Sequence, residues 1–192
     1  MNIKSHLKEK LEKLLFLNIE GRDIYMPVNS AHILEEVKAG GSLENIPSSY
    51  FVYGMFFVLG ADEDFKYRDR YIEFLKETQG SVNYIKGRIA QEIKNENYED
   101  GYILLKGLYA VENSRDVLEK LLMVLEHLRK IEPGYTVEEL KAIEQAKELK
   151  EYPTPYFYEA QIKSENKDYH GALMALDKFI ELSGNTDEAI AQ

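Results

Sequence analysis

Residues 156–182 read YFYEAQIKSENKDYHGALMALDKFIEL. Two helical stretches, 156–165 and 169–182, flank the polar break Asn166-Lys167-Asp168. Tyr156 and Ala160 stand one turn apart in the first, and Ala172, Leu176 and Phe179 recur at helical spacing in the second. Ala160 and Ala172 are small residues 12 positions apart. Facing one another, they let two antiparallel helices approach closely. Tyr156 then fills space at the start of the first helix, and Tyr169 packs across the hairpin from the start of the second.

The pattern recurs upstream. Asn97-Tyr98-Glu99-Asp100-Gly101 aligns with Asp168-Tyr169-His170-Gly171-Ala172, and Leu105 and Leu108 follow where Leu176 and Phe179 stand. Ile85 and Ile89 take the places of Tyr156 and Ala160. Between the two copies, Gly134-Tyr135 precedes a helix carrying Ala142 and Ala146. The three tyrosines lie 37 and then 34 residues apart. This period and its alternation of bulky and small residues resemble the tetratricopeptide-repeat family, whose unit is a helical hairpin of about 34 residues. The resemblance implies an all-α fold of antiparallel hairpins stacked as a right-handed solenoid. It would occupy residues 49–192, with hairpins at 49–78, 82–111, 115–150 and 156–182 and a partial terminal helix at 186–192.

Local signals place the helix ends. Thr136 with Glu139 has the spacing of a capping box. Thr154-Pro155 puts a cap before a proline at the first helical position. Ser114, and Asn185 or Thr186, are further caps. The Ser183-Gly184-Asn185-Thr186 stretch is expected to end the last long helix.

Residues 1–48 form an irregular N-terminal helical segment packed on the array. Ile3, Leu7, Leu11, Leu14, Leu15 and Phe16 gather near one face of a helix over 3–17, which Gly21 ends. Residues 23–28 are extended, because Pro27 biases Met26 away from helical dihedrals. Asn29 or Ser30 caps a short helix over 31–38, Gly40-Gly41 stops it, and 42–49 is a turn-rich connection.

The chain has 192 residues and a formal net charge of −10. That balance disfavours nucleic acid and anionic membranes as partners, since both attract Lys and Arg. There is no Cys, which excludes disulfides and thiolate chemistry. The apolar positions of the N-terminus are interrupted by charge, and the longest apolar run, 50–59, is half of what spans a bilayer. A cytoplasmic location is expected. His6, His32, His127 and His170 stand apart, without zinc-helix spacing. Gly40-Gly41-Ser42 lacks the context of a phosphate loop. Asp62-Glu63-Asp64 reads as carboxylates at a helix N-terminus. The aromatic run Tyr50, Phe51, Tyr53, Phe56 and Phe57 reads as core. No cofactor or metal is called for.

In the tetratricopeptide family the first helix of each hairpin lines a concave groove. The resemblance therefore assigns partner binding to Lys86 and Ala90, to Lys120, Met123 and His127, and to Phe157, Tyr158 and Gln161. Ala90, Phe157 and Tyr158 stand where chaperone-binding members carry polar groups of a carboxylate clamp, so that clamp is not expected. The function that follows is a non-enzymatic scaffold or adaptor for a protein or peptide. A ligand- or peptide-sensing regulatory module is the alternative, and a second copy of the chain is a further candidate partner. An enzyme would have to place its site around Arg22, Asp23, Tyr25 and His32, where no motif supports one.

Overall fold

A computed structural model describes residues 2–18, 23–41 and 46–190, with side chains as far as residue 184 in the last stretch. Among these the chain is predominantly helical, as expected, with one two-stranded sheet. No helix of the described residues is long and apolar enough to cross a membrane. The chain divides into two compact units, Met1–Val117 and Leu118–Gln192.

The first unit holds α1 (Ile3–Glu9), β1 (Leu14–Asn18), β2 (Tyr25–Asn29), α2 (Ser30–Lys38), α3 (Ser48–Ala61), α4 (Arg68–Glu77), α5 (Ser81–Lys94) and α6 (Tyr98–Val111). Its centre is α3. Every residue from Val52 to Ala61 is buried, and the helix carries no charge. A helix apolar on all sides has to be enclosed, and α1, β2, α4, α5 and α6 surround it. Tyr53, Phe56 and Phe57 are core residues, as the sequence indicates, while Tyr50 and Phe51 are half-buried. The contact with α6 is unusually close. A Cβ on Gly60 would overlap the Ile103 carbonyl, and a Cβ on Gly107 would overlap the Phe56 carbonyl. Glycine at both positions lets the two backbones touch.

The N-terminal segment corrects the expected helix over 3–17. Helix α1 ends at Glu9, a 3-10 turn spans Lys10–Lys13, and Leu14–Asn18 is a strand. Four consecutive apolar residues, Leu14 to Leu17, suit a helix face poorly, because they spread around its circumference. Strand β2, held extended by Pro27, supplies the competing partner. It pairs antiparallel with β1 in the register Leu14↔Asn29, Leu15↔Val28, Phe16↔Pro27, Leu17↔Met26 and Asn18↔Tyr25. Gly21, Arg22 and Ser42 lie outside the described residues. Asn29 is the cap of α2, its side chain accepting from the Ala31 N–H at 2.9 Å.

Asp62-Glu63-Asp64 also departs from its sequence reading. Helix α4 begins only at Arg68, and the three carboxylates neutralise lysines instead: Asp62 with Lys8 at 2.9 Å, Glu63 with Lys106 at 2.8 Å, and Asp64 with Lys4 at 2.9 Å. Lys10 and His6 meet Glu99, and Lys13 meets Asp100 at 2.6 Å. The exposed Lys4–Asp64 pair contributes little on its own, but with the half-buried pairs it ties α1 and the turn after it to the rest of the unit.

Like the polar Ser81 and Glu92, His32 is buried in this unit. It is 8% exposed and lies between the rings of Tyr50 and Tyr53, each 4.8 Å away. An Arg88 guanidinium nitrogen is 3.4 Å from its Nε2, and its Nδ1 is buried without a partner. Burial first, and then the Arg88 charge, hold the imidazole below its ordinary value of 6.5, against weaker opposing pulls from Glu35 and Glu92. As pH falls through 6.5, the unfolded chain takes up the proton before the folded one does, so stability declines. An NMR titration is expected to show His32 changing charge at lower pH than a free imidazole. A midpoint at or above 6.5 would contradict the enclosed geometry.

The second unit holds the body of α7 (Arg115–Ile131), then α8 (Thr136–Lys147), α9 (Thr154–Glu165) and α10 (Tyr169–Ile190). Ser114 caps α7 through the Val117 N–H. Three end signals resolve differently from their sequence reading. The Thr136 hydroxyl donates to the Pro133 carbonyl, and Glu139 turns to Arg129, so no capping box forms. Thr154 is the first residue of α9 rather than its cap. Helix α10 runs through Ser183-Gly184-Asn185-Thr186 without a break, so there is no separate terminal helix. One glycine inside a helix costs about 1 kcal/mol, which a 22-residue helix absorbs. Ala160 and Ala172 are 3% and 6% exposed, in keeping with a close α9–α10 hairpin. Tyr169 is 68% exposed and does not pack across it.

Candidate protein-docking face

The eight residues assigned to a groove fall on α5, α7 and α9. On α5, in the first unit, Lys86 is engaged with the Glu112 carboxylate at 2.9 Å, and Ala90 is exposed. The other six belong to the second unit.

On α7, Lys120, Met123 and His127 share one face, because they recur at three- and four-residue spacing. The opposite stripe, Leu118, Leu121, Leu122, Leu125 and Leu128, is buried. Lys120 is exposed and makes no ion pair among the described residues, Met123 is 49% exposed, and His127 is half-buried. On α9, Phe157 is 40% exposed. Its ring sits 5.7 Å from Phe179 of α10 and edge-on to Tyr158 at 5.8 Å. Tyr158 and Gln161 are half-buried, and the Gln161 Oε1 is buried without a hydrogen-bond partner.

Helix α9 meets α7 through the Arg129–Glu165 pair. Near the start of α9, the Tyr158 hydroxyl is pushed up to about 12, first by burial and then by the Glu126 charge, with Tyr152, Glu119 and Glu139 adding to it. At the ends of both helices, Arg129 meets Glu165. Arg129 is 7% exposed and also donates through Nε to Glu139 at 2.5 Å; Glu139 is fully enclosed. Complete burial raises the Glu139 pKa, and Arg129 offsets only part of that rise. A cleft of about 350 Å³ opens beside this triad, between Arg129 and Lys130, Thr136 at the start of α8, and Glu165 and Asn166.

The sequence reading passed over the triad, although its signal was present. Glu139 precedes Ala142, Ile143 and Ala146 on one helical stripe, and Arg129 continues the stripe of Leu118, Leu122 and Leu125. Opposite charges on two buried stripes of consecutive helices imply a pair, since neither tolerates burial alone.

The residues around which an enzyme was considered are dispersed in character. His32 is enclosed by rings, Asp23 is exposed, Tyr25 is 44% exposed with Lys66 over its ring, and Arg22 lies outside the described residues. Compared with family models, with curated proteins and with solved structures, the chain matches none.

Proposed function

We propose that the chain is a non-enzymatic scaffold that docks a protein or peptide on the exposed face of α7 and α9. The observation that carries this reading is the pair of exposed apolar side chains, Met123 and Phe157, on neighbouring helices beside an uncommitted ammonium, Lys120. Large apolar groups open to solvent are typical anchors of protein interfaces. The exposed Lys120 ammonium asks for a carboxylate from the partner. The tight α9–α10 hairpin, with Ala160 and Ala172 buried, supports a tetratricopeptide-like stacking of this unit. In that reading the six groove residues of this unit belong to the concave side of a right-handed solenoid in a cytoplasmic protein, and Lys86 and Ala90 to the corresponding face of a hairpin in the first unit.

Affinity capture from the source organism tests the proposal. The wild type is compared with a Lys120→Glu, Met123→Glu variant and with Leu34→Glu, which alters an exposed apolar residue of the first unit. A partner retained by the wild type and by Leu34→Glu should bind the double variant at least about 10-fold more weakly, the equivalent of about 1.4 kcal/mol. Equal retention by all three would remove the contact from α7. Turnover of a small substrate with no retained partner would overturn the scaffold reading.

A further inference from the structure

The hairpin leaves one backbone edge open, and its hydrogen-bond parity can be deduced. In an antiparallel pair, residues alternate between those that bond across the ladder and those whose N–H and C=O point away. The Tyr25 carbonyl accepts from the Tyr71 hydroxyl at 2.5 Å, so it points away from β1. Two residues on, Pro27 has no N–H to give, and its carbonyl lies against Gly54 of α3. The outer edge of β2 is thus covered by α3 and α4. By alternation, Leu15 and Leu17 bond across to Val28 and Met26. Leu14, Phe16 and Asn18 point outward from β1, and the Leu14 N–H accordingly goes to the Leu11 carbonyl instead of the ladder. Among the described residues, no group outside the hairpin takes up the outward N–H of Phe16 or Asn18. Leu15 and Phe16 are 46% and 36% exposed.

We infer that β1 is a self-pairing edge, on which a second copy of the chain adds antiparallel to form a four-stranded sheet. The occupant follows from the sequence of the strand, Leu14-Leu15-Phe16-Leu17-Asn18, which is uncharged and nearly palindromic about Phe16. With Phe16 opposite the Phe16 of the other copy, the two exchange both of their backbone bonds. Each Asn18 N–H then reaches the Leu14 carbonyl of the other chain, making four bonds in all. Leu15 falls opposite Leu17 on one face and Phe16 opposite Phe16 on the other, so apolar meets apolar at the three central positions, with Leu14 opposite Asn18 at each end. The nearest lysines, Lys10 and Lys13, are already neutralised by Glu99 and Asp100. A five-residue edge covers less than the roughly 800 Å² per partner of a standard interface. The dimer is therefore weak and concentration-dependent. Strand β1 belongs to the first unit and α9 with the body of α7 to the second, so failure of the pairing would leave the proposed docking face untouched.

Sedimentation equilibrium from about 5 to about 500 µM, with amide exchange over the same range, tests the pairing in the regime of weak interfaces. The expected result is a monomer–dimer equilibrium in which the Phe16 and Asn18 amides slow with concentration while those of Leu15 and Leu17 stay protected throughout. Phe16→Pro removes an outward donor and no ladder bond, as proline does on edge strands, and should weaken the dimer at least about 10-fold. If that variant loses helical signal, Leu15→Lys with Leu17→Lys decides, because it sets like charges opposite one another across the contact. A wild type that stays monomeric over the whole range, or a dimer unaffected by either change, overturns the inference. Protection of Phe16 and Asn18 that arises only when a foreign extended peptide is added also overturns it, and assigns the edge to that peptide.

Discussion

Gly107→Ala is expected to destabilise the first unit by about 3 kcal/mol or more, at the upper end of what overpacking costs. The added methyl would meet the Phe56 carbonyl of α3, which is backbone inside the buried stretch Val52–Ala61 of that helix. A flexible side chain could swing aside, whereas this carbonyl moves only if α3 moves, and α3 is enclosed by five other elements. Gly60→Ala acts on the same crossing from the other side, against Ile103. The two changes should be strongly non-additive, since the first already separates the helices. Gly87→Ala supplies the control. Gly87 lies on the exposed side of α5 with nothing near a Cβ, so alanine there should stabilise by about 0.5–1 kcal/mol through helix propensity alone. Urea unfolding of the three variants measures this. A Gly107→Ala midpoint within error of the wild type would show that α3 and α6 do not touch backbone to backbone.

Arg129→Met should cost about 3–5 kcal/mol at neutral pH, the usual result of stripping a buried charge of its partner. Glu139 would remain fully enclosed and lose its hydrogen-bond donor. The pH dependence separates this mechanism from lost packing. In the wild type the Glu139 pKa is already raised by burial. A carboxyl whose folded pKa exceeds its unfolded one lowers stability as pH rises from the ordinary carboxylate range through the folded value. Without Arg129 that rise is steeper, so the variant should lose least in acid, where Glu139 is protonated, and most at neutral pH. Glu139→Gln in the Arg129→Met background should recover a substantial part of the loss at neutral pH. A deficit that stayed constant with pH, and was not relieved by Glu139→Gln, would mean that Arg129 acts through its packing alone.

Most helices were legible because their buried stripes are clean. Helices α5, α6 and α7 lie where spacing puts them, and Ser114 and Asn29 cap as their residue types predict. Three of the misreadings share a cause, which is that a distant partner outcompeted a local signal. Leu14 to Leu17 continue the apolar spacing of Ile3, Leu7 and Leu11 in sequence, but they pair with β2 as a strand. Glu139 completes a capping box until Arg129 is beside it. The acidic run at Asp62 suits a helix start until Lys4, Lys8 and Lys106 arrive from elsewhere in the chain. Gly184 signals a stop that a long helix simply passes. On the docking face, the exposure of Met123 and Phe157 follows from helical spacing. The engagement of Lys86 with Glu112 does not, because Glu112 lies in the break after α6, 26 residues away.

The most direct test of the docking proposal is site-specific photocrosslinking in the source organism, with a photoreactive phenylalanine analogue placed in turn at Met123, Phe157 and Leu34. If the face of α7 and α9 holds a partner, positions 123 and 157 should yield adducts with the same protein, mapping to one short segment of it, and position 34 should not. Adducts of equal yield from position 34, or a bound partner that neither 123 nor 157 reaches, would contradict the account.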